Sequence, residues 1–155
     1  MKKLFFIGIF SLITISGNTQ VKNLKDLILL SELTVFELLE NLQYSWNLSQ
    51  PNQEFSDDKT EVTERHTYTF KTDGGTQILQ RVITQNLNTS EIYEETSFVH
   101  NDLNLLKLIK TQLSSLGFVK QKDSTYSDGR TKITLYEEAT DEIMLSKGYF
   151  MLLIE

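Results

Sequence analysis

The side chains best suited to chemistry in this sequence are two histidines, His66 and His100, and two groups of carboxylates, Glu91-Glu94-Glu95 and Glu137-Glu138-Asp141-Glu142. A histidine beside a carboxylate and a serine or a water could serve as a general base, and two carboxyl groups at a defined separation could cleave a glycosidic bond. Neither pattern is complete. His66 stands in the middle of an alternating segment with Tyr68 and Phe70 and reads as a half-buried strand histidine. His100 comes just before a helix start and reads as a surface junction residue. No Gly-x-Ser-x-Gly elbow offers a nucleophile. The carboxylates lack the spacing of a calcium loop and read as a solvated acidic edge that discourages strand-to-strand association, as does Asp57-Asp58. Gly74-Gly75 is followed by no helix, so it is a turn and not a phosphate loop. The absence of cysteine excludes disulfides, thiol chemistry, iron–sulfur ligation and cysteine–zinc sites. No residue is assigned a catalytic, cofactor-binding or metal-ligating role, and no cofactor is expected.

The beginning of the chain speaks to location. Lys2 and Lys3 precede an apolar run, Leu4 to Ile15, and the small polar residues Ser16, Gly17, Asn18 and Thr19 follow. A charged start, a short apolar stretch and a small-residue exit are the parts of a secretory signal peptide, and the run is short for a membrane span. Cleavage after Gly17 or after Thr19 fits; the latter, which is favoured, leaves Gln20 first. Lipid anchoring at a cysteine is excluded because there is none. The expected location is extracytoplasmic, periplasmic or secreted, with no stable membrane insertion once residues 1–19 are removed. The full chain carries 15 basic and 21 acidic side chains, a net −6; loss of Lys2 and Lys3 leaves 13 against 21, a net −8. Such a surface is repelled by phosphate backbones, so nucleic acid is an unsuitable partner.

The elements that would position any site follow from periodicity and punctuation. Val21 to Leu30, with Leu24, Leu27, Ile28, Leu29 and Leu30, predicts a short helix. Thr34-Val35-Phe36-Glu37 has capping-box spacing, with Leu33 and Leu38 placed as a hydrophobic staple, and predicts a helix from about Val35 to Leu42. Asn47 to Lys59, with the single Pro51, reads as a loop. Thr60 to Lys71 alternates at a period of two and predicts a strand; Asp73-Gly74-Gly75 turns the chain into a second strand over Gln77 to Leu87, and a third covers Ile92 to Val99. After Asn101 or Asp102, either of which can cap a helix start, leucines and Ile109 recur at helical steps up to Leu116, and Gly117 ends the helix in a left-handed conformation. A strand begins at Phe118, Ser127-Asp128-Gly129-Arg130 is a tight turn, and Thr131 to Tyr136 runs back. Another turn falls near Asp141-Glu142. Tyr149 to Ile154 shows no alternation and predicts a central strand covered on both faces.

Two stretches repeat in order. Leu39-Glu40-Asn41-Leu42-Gln43-Tyr44 matches Leu113-Ser114-Ser115-Leu116-Gly117-Phe118, and Thr72-Asp73-Gly74-Gly75-Thr76-Gln77-Ile78 matches Ser127-Asp128-Gly129-Arg130-Thr131-Lys132-Ile133. The expected fold is α+β: one domain over 20–155, a tandem repeat (about 22–100 and 101–155) of a helix followed by about three antiparallel strands, with the helices on one face of the sheet. The leader, the Leu-Thr-Val-Phe-Glu-Leu-Leu helix and the Leu-Gly-Phe exit resemble small, uncharacterised exported proteins of Bacteroidetes-type bacteria. That resemblance implies a Gram-negative envelope and this layout, and it brings no catalytic residues. Gln43 stands where the repeat would put a glycine.

Three functions are compatible with these features. The leading one is an exported, non-enzymatic interaction or ligand-binding module, of the inhibitor or immunity type, whose partner is a protein or small ligand met on the free sheet face, with Trp46, Tyr68 or the last strand projecting there. A small hydrolase using an acidic cluster or His66 is the second, and a structural envelope protein that forms a homodimer is the third.

Overall fold

The computed structural model describes residues 20–140 and 145–155. The leader over 1–19 and the turn expected at Asp141-Glu142 lie outside the described residues.

Among the described residues, three helices and nine strands form a mixed α+β fold around one antiparallel sheet. Helix α1 (Leu24–Glu32) starts at Asn23, whose side chain accepts from Asp26 N–H, and buries Leu24, Leu27 and Leu30. Helix α2 (Val35–Leu42) starts at the capping box the sequence predicts: the Thr34 hydroxyl accepts from Glu37 N–H at 3.3 Å and the Glu37 carboxylate accepts from Thr34 N–H at 2.8 Å. Two of the N–H groups that every helix start leaves open are thereby satisfied. Helix α3 (Leu103–Ser115) is capped by Asp102 and buries Leu105, Leu106, Ile109 and Leu113. It ends in a Schellman motif: Phe118 N–H reaches Leu113 C=O at 3.0 Å, Gly117 N–H reaches Ser114 C=O at 3.2 Å, and Gly117 takes the positive φ of +88° that the motif requires.

The strands are β1 (Asn47–Leu48), β2 (Asn52–Phe55), β3 (Glu61–Thr72), β4 (Gly75–Asn86), β5 (Ile92–His100), β6 (Val119–Lys120), β7 (Thr125–Ser127), β8 (Lys132–Tyr136) and β9 (Phe150–Ile154). Their order across the sheet is β1-β3-β4-β5-β9-β8-β7-β6, with β2 also pairing β3. Two expectations need correction. The segment read as a loop, 47–59, contributes β1 and β2 along the edge of β3, on either side of Pro51; every side chain in both is exposed, so no hydrophobic alternation announced them. The strand starting near Phe118 is a small hairpin, β6–β7, turned by Asp123 at a φ of +50°.

Register divides the sheet residues into two sets. Tyr68, Leu79, Phe98, Leu152 and Leu135 face one another across five strands. They join the buried residues of all three helices in one continuous core. Each leucine fully buried there contributes about 1.5–3 kcal/mol of transfer free energy. The alternate positions form two further rows, Thr69-Ile78-Val99-Met151-Tyr136 and Thr67-Gln80-Ser97-Leu153-Thr134. None of these belongs to the core; most are half-buried, and Ser97 and the neighbouring Val82 are buried outside it. β9 is central, as its apolar run predicts, but its burial alternates, with Met151 and Leu153 only partly covered. Uniform apolarity was therefore not a sign of two dry faces.

Candidate functional site

Strand β3 carries Glu64, His66 and Tyr68 on its core side, and pairing places His66 opposite Arg81 of β4. His66 Nε2 lies 2.7 Å from Glu64 Oε1. Arg81 donates to Glu94 Oε2 at 2.6 Å, to the Thr96 hydroxyl at 2.6 Å and to the Ser31 carbonyl at the end of α1 at 2.7 Å. The guanidinium thus ties two strands to a helix C-terminus, where a cation also suits the local dipole. The Tyr68 hydroxyl and Arg81 Nε are buried with no hydrogen-bond partner among the described residues. Burial pushes the Tyr68 phenol upward, and the Arg81 charge opposes that shift.

This cluster does part of what a general-base site needs. His66 has its carboxylate, but among the described residues no serine hydroxyl is hydrogen-bonded to it, and the ring is buried on the core side of the sheet. Arg81 is spent on three acceptors. The arrangement acts as a polar brace between α1, β4 and β5.

His100 is not a surface junction residue. β5 runs one residue further than its pattern suggested, which puts His100 on the same side as Phe98 and opposite Phe150. It is 1% exposed, its ring centroid lies 6.1 Å from that of Phe98 and 6.4 Å from that of Phe150, and Nδ1 is 3.2 Å from the Thr76 carbonyl. Burial holds its pKa below the ordinary histidine value, against the Thr76 carbonyl and Asp102, which both favour the charged form. A neutral ring wedged between aromatics is a packing residue.

The acidic groups are not brought together. Glu137 pairs with Lys110 at 2.6 Å, and Asp141-Glu142 lies outside the described residues. Asp58 is occupied by the Ser56 and Thr60 hydroxyls and Thr60 N–H, which hold its carboxyl below the usual range. Glu94 and Glu95 meet Glu155, the residue after β9, around a cleft of about 310 Å³ also lined by Thr84, Ile92 and Tyr93. Burial raises the Glu95 carboxyl pKa, Glu155 raises it further, and Arg65 counteracts both. No group of three or more metal-ligating side chains occurs among the described residues. No helix there is long and apolar enough to cross a membrane.

The second sheet surface is the other candidate. Ile78, Val99 and Met151 lie side by side on adjacent strands, flanked by Tyr136, with Gln80, Ser97 and Leu153 in the next row. Threonines surround this strip: Thr63 and Thr84 share a hydrogen bond at 3.1 Å, as do Thr125 and Thr134 at 3.2 Å, so the hydroxyls partly satisfy one another. Trp46 and Tyr68, suggested for this surface by their aromatic character, are core residues instead; Trp46 stacks at 5.4 Å on Phe70. The members that sequence reasoning missed, Ile78 and Val99, were within its reach. The Asp73-Gly74 hairpin fixes the register of β3 on β4, with Thr72 opposite Gly75, and the turn between Asn86 and Ile92 fixes that of β4 on β5, which puts Ile78 opposite Val99.

No protein-family model, no curated protein and no solved structure matches this chain.

Proposed function

We propose that this protein is an exported, non-enzymatic interaction module that binds another protein through the sheet surface bearing Ile78, Val99, Met151 and Leu153. One observation carries the reading: an apolar strip three strands wide, framed by threonines and a carboxylate-lined cleft, that takes no part in the continuous core. Apolar centres with polar rims are the anatomy of protein interfaces. In this reading all three helices cover the opposite surface and leave the strip available. The net −8 of the chain after loss of its leader, with Glu95 and Glu155 beside the strip, suits a basic partner site, as an inhibitor or immunity protein would need.

A duplication gives this surface its breadth. Strands β1, β3, β4 and β5 would correspond to β6, β7, β8 and β9, each set an antiparallel meander after a helix, with β5 and β9 meeting at the centre. The matching Asp-Gly turns then fall on equivalent hairpins, β3–β4 and β7–β8.

The test compares the mature protein with Met151→Lys and Ile78→Glu variants. Each is cross-linked to the envelope fraction and to purified candidate basic proteins, after circular dichroism has verified folding. The wild type is expected to form one defined adduct that both variants lose by tenfold or more, while Lys107→Glu on the outer side of α3 keeps it. Adducts insensitive to both strip substitutions would refute the surface. Light scattering separates the homodimer reading, since a concentration-dependent dimer lost in the same variants would make the partner a second copy.

A further inference from the structure

β5 is longer than the strand laid beside it. β4 pairs with it from Ile92 to Val99, whereas β9 covers only Thr96 to His100. Glu155, the residue after β9, falls opposite Glu95 and exchanges N–H and C=O bonds with Lys132 of β8, both at 2.9 Å. Along Ile92, Tyr93 and Glu94, no described residue pairs with that edge. The alternation of an antiparallel ladder decides which groups are open there. Asn86 N–H donates to Glu91 C=O at 2.9 Å, so Glu91, Tyr93 and Glu95 turn their main-chain groups to β4. Ile92 and Glu94 turn theirs the other way, as Thr96 does toward Ile154. They present their N–H and C=O groups where β9 would continue. This slot borders the cleft of about 310 Å³ between Tyr93, Glu95 and Glu155, and both Ile92 and Tyr93 are exposed.

The side chains around the slot select its occupant. Strand alternation puts Ile92 and Ile154 along it on the core side of the sheet, and Tyr93, Glu95 and Glu155 along it on the other. Arg81 holds Glu94 and Lys132 holds Glu155, each at 2.6 Å. Arg65 opposes Glu95 by charge alone, without a contact ion pair. Glu91 accepts from the Thr89 and Tyr93 hydroxyls and forms no ion pair among the described residues. Carboxylates therefore outnumber cations around the slot. A second copy of this edge would bring the same carboxylates against one another, which a strand pair resists. A cationic strand meets the opposite situation.

We propose that the slot takes an extended segment of a basic partner protein as an added strand. The segment runs on in the direction of β9, antiparallel to β5, and exchanges main-chain hydrogen bonds with Ile92 and Glu94. It sets an apolar side chain beside Ile92 and a lysine or arginine opposite Tyr93, next to Glu95 and Glu155. Main-chain bonds supply attraction whatever the sequence, and the alternate side chains supply selectivity. The inference rests on the reading of this protein as an interaction module and gives that module a second contact, adjoining the strip.

Nuclear magnetic resonance with a short capped peptide bearing valine–lysine–valine at its centre tests it. Binding is expected to slow amide exchange at Ile92 and Glu94 and to leave Tyr93 and Glu95, already bonded to β4, unchanged. Methylating the two valine nitrogens, which would face β5, should weaken binding tenfold or more. Glutamate in place of the peptide lysine should do the same, as should Glu95→Lys in a protein whose fold circular dichroism verifies. Equal binding by the methylated peptide overturns the added strand, and equal binding by the glutamate peptide overturns its charge. No protection at millimolar peptide overturns both. Protection of the same amides in a concentration-dependent dimer, without peptide, makes the occupant a second copy and overturns the basic partner. Ile78→Glu separates edge from strip, since peptide binding is expected to survive it. A strip-dependent adduct in the envelope with no pairing at this edge refutes the inference and leaves the interaction reading standing.

Discussion

At the scale of single residues, the electrostatics of the strip's rim give a direct handle on it. Glu95 is half-buried, and its folded-state pKa is raised by burial and by Glu155. A carboxylate with a raised folded pKa binds protons more tightly in the native state, so its ionisation costs stability as pH rises through that value, and the cost vanishes below the ordinary glutamate range. Glu95→Gln should therefore stabilise the protein at pH 7 by a few tenths of a kcal/mol, the partial exposure limiting the gain, and the gain should disappear near pH 4. Thermal melts of both proteins across that range check it; an equal difference at both ends would mean that packing, not charge, is responsible. A retained carboxylate that harms stability is what an interaction surface would keep for its partner. The histidines teach the opposite lesson. His100 looked available because it stood beside a helix start, yet one additional residue of β5 turned it inward to Phe98 and Phe150. A residue's side of a strand depends on where pairing stops, and pairing partners fifty positions away are not visible in local sequence.

At the scale of elements, the legible features were those with short-range chemistry. The Thr34–Glu37 box, the polar cap at Asn101 or Asp102 and the Gly117 exit each rest on groups within five residues of one another; the structure has the box and the exit, and caps α3 with Asp102. β1 and β2 were not legible, because their only structural commitment is main-chain pairing to β3. Two glycines separate conformational need from space. Gly117 has a φ of +88° and open surroundings, so Gly117→Ala should cost about 1 kcal/mol, the strain of a left-handed alanine. Gly75 has a φ of +132°, and an added Cβ would strike the Asn101 side chain, which covers it. Gly75→Ala should cost clearly more, about 2–3 kcal/mol, since strain and steric collision combine. Urea denaturation of the pair tests the order, and equal losses would show that Asn101 moves aside freely.

At the scale of the molecule, β5–β9 pairing joins the two ends of the sheet into one, with Thr96 opposite Ile154 and His100 opposite Phe150. Amide exchange should be slowest in β4, β5 and β9 and fastest in β1, β2 and β6, because the last three are short and lie at or beside an edge. Mass-resolved exchange would contradict this if β9 exchanged as quickly as β6. The class of the fold could be read from the alternation of β3 and the leucine spacing of α3, whereas the apolar strip emerged only when strands from distant parts of the chain were laid side by side. There is a further consequence of placing residues 150–154 in the middle. If the chain is exported as proposed, amino-terminus first through a membrane channel, it could not close this sheet until β9 had emerged, and residues 20–100 would wait as an unfinished half with β5 unpaired on one side. Translocation in an unfolded state and prompt folding on release would thus be timed by the same five residues.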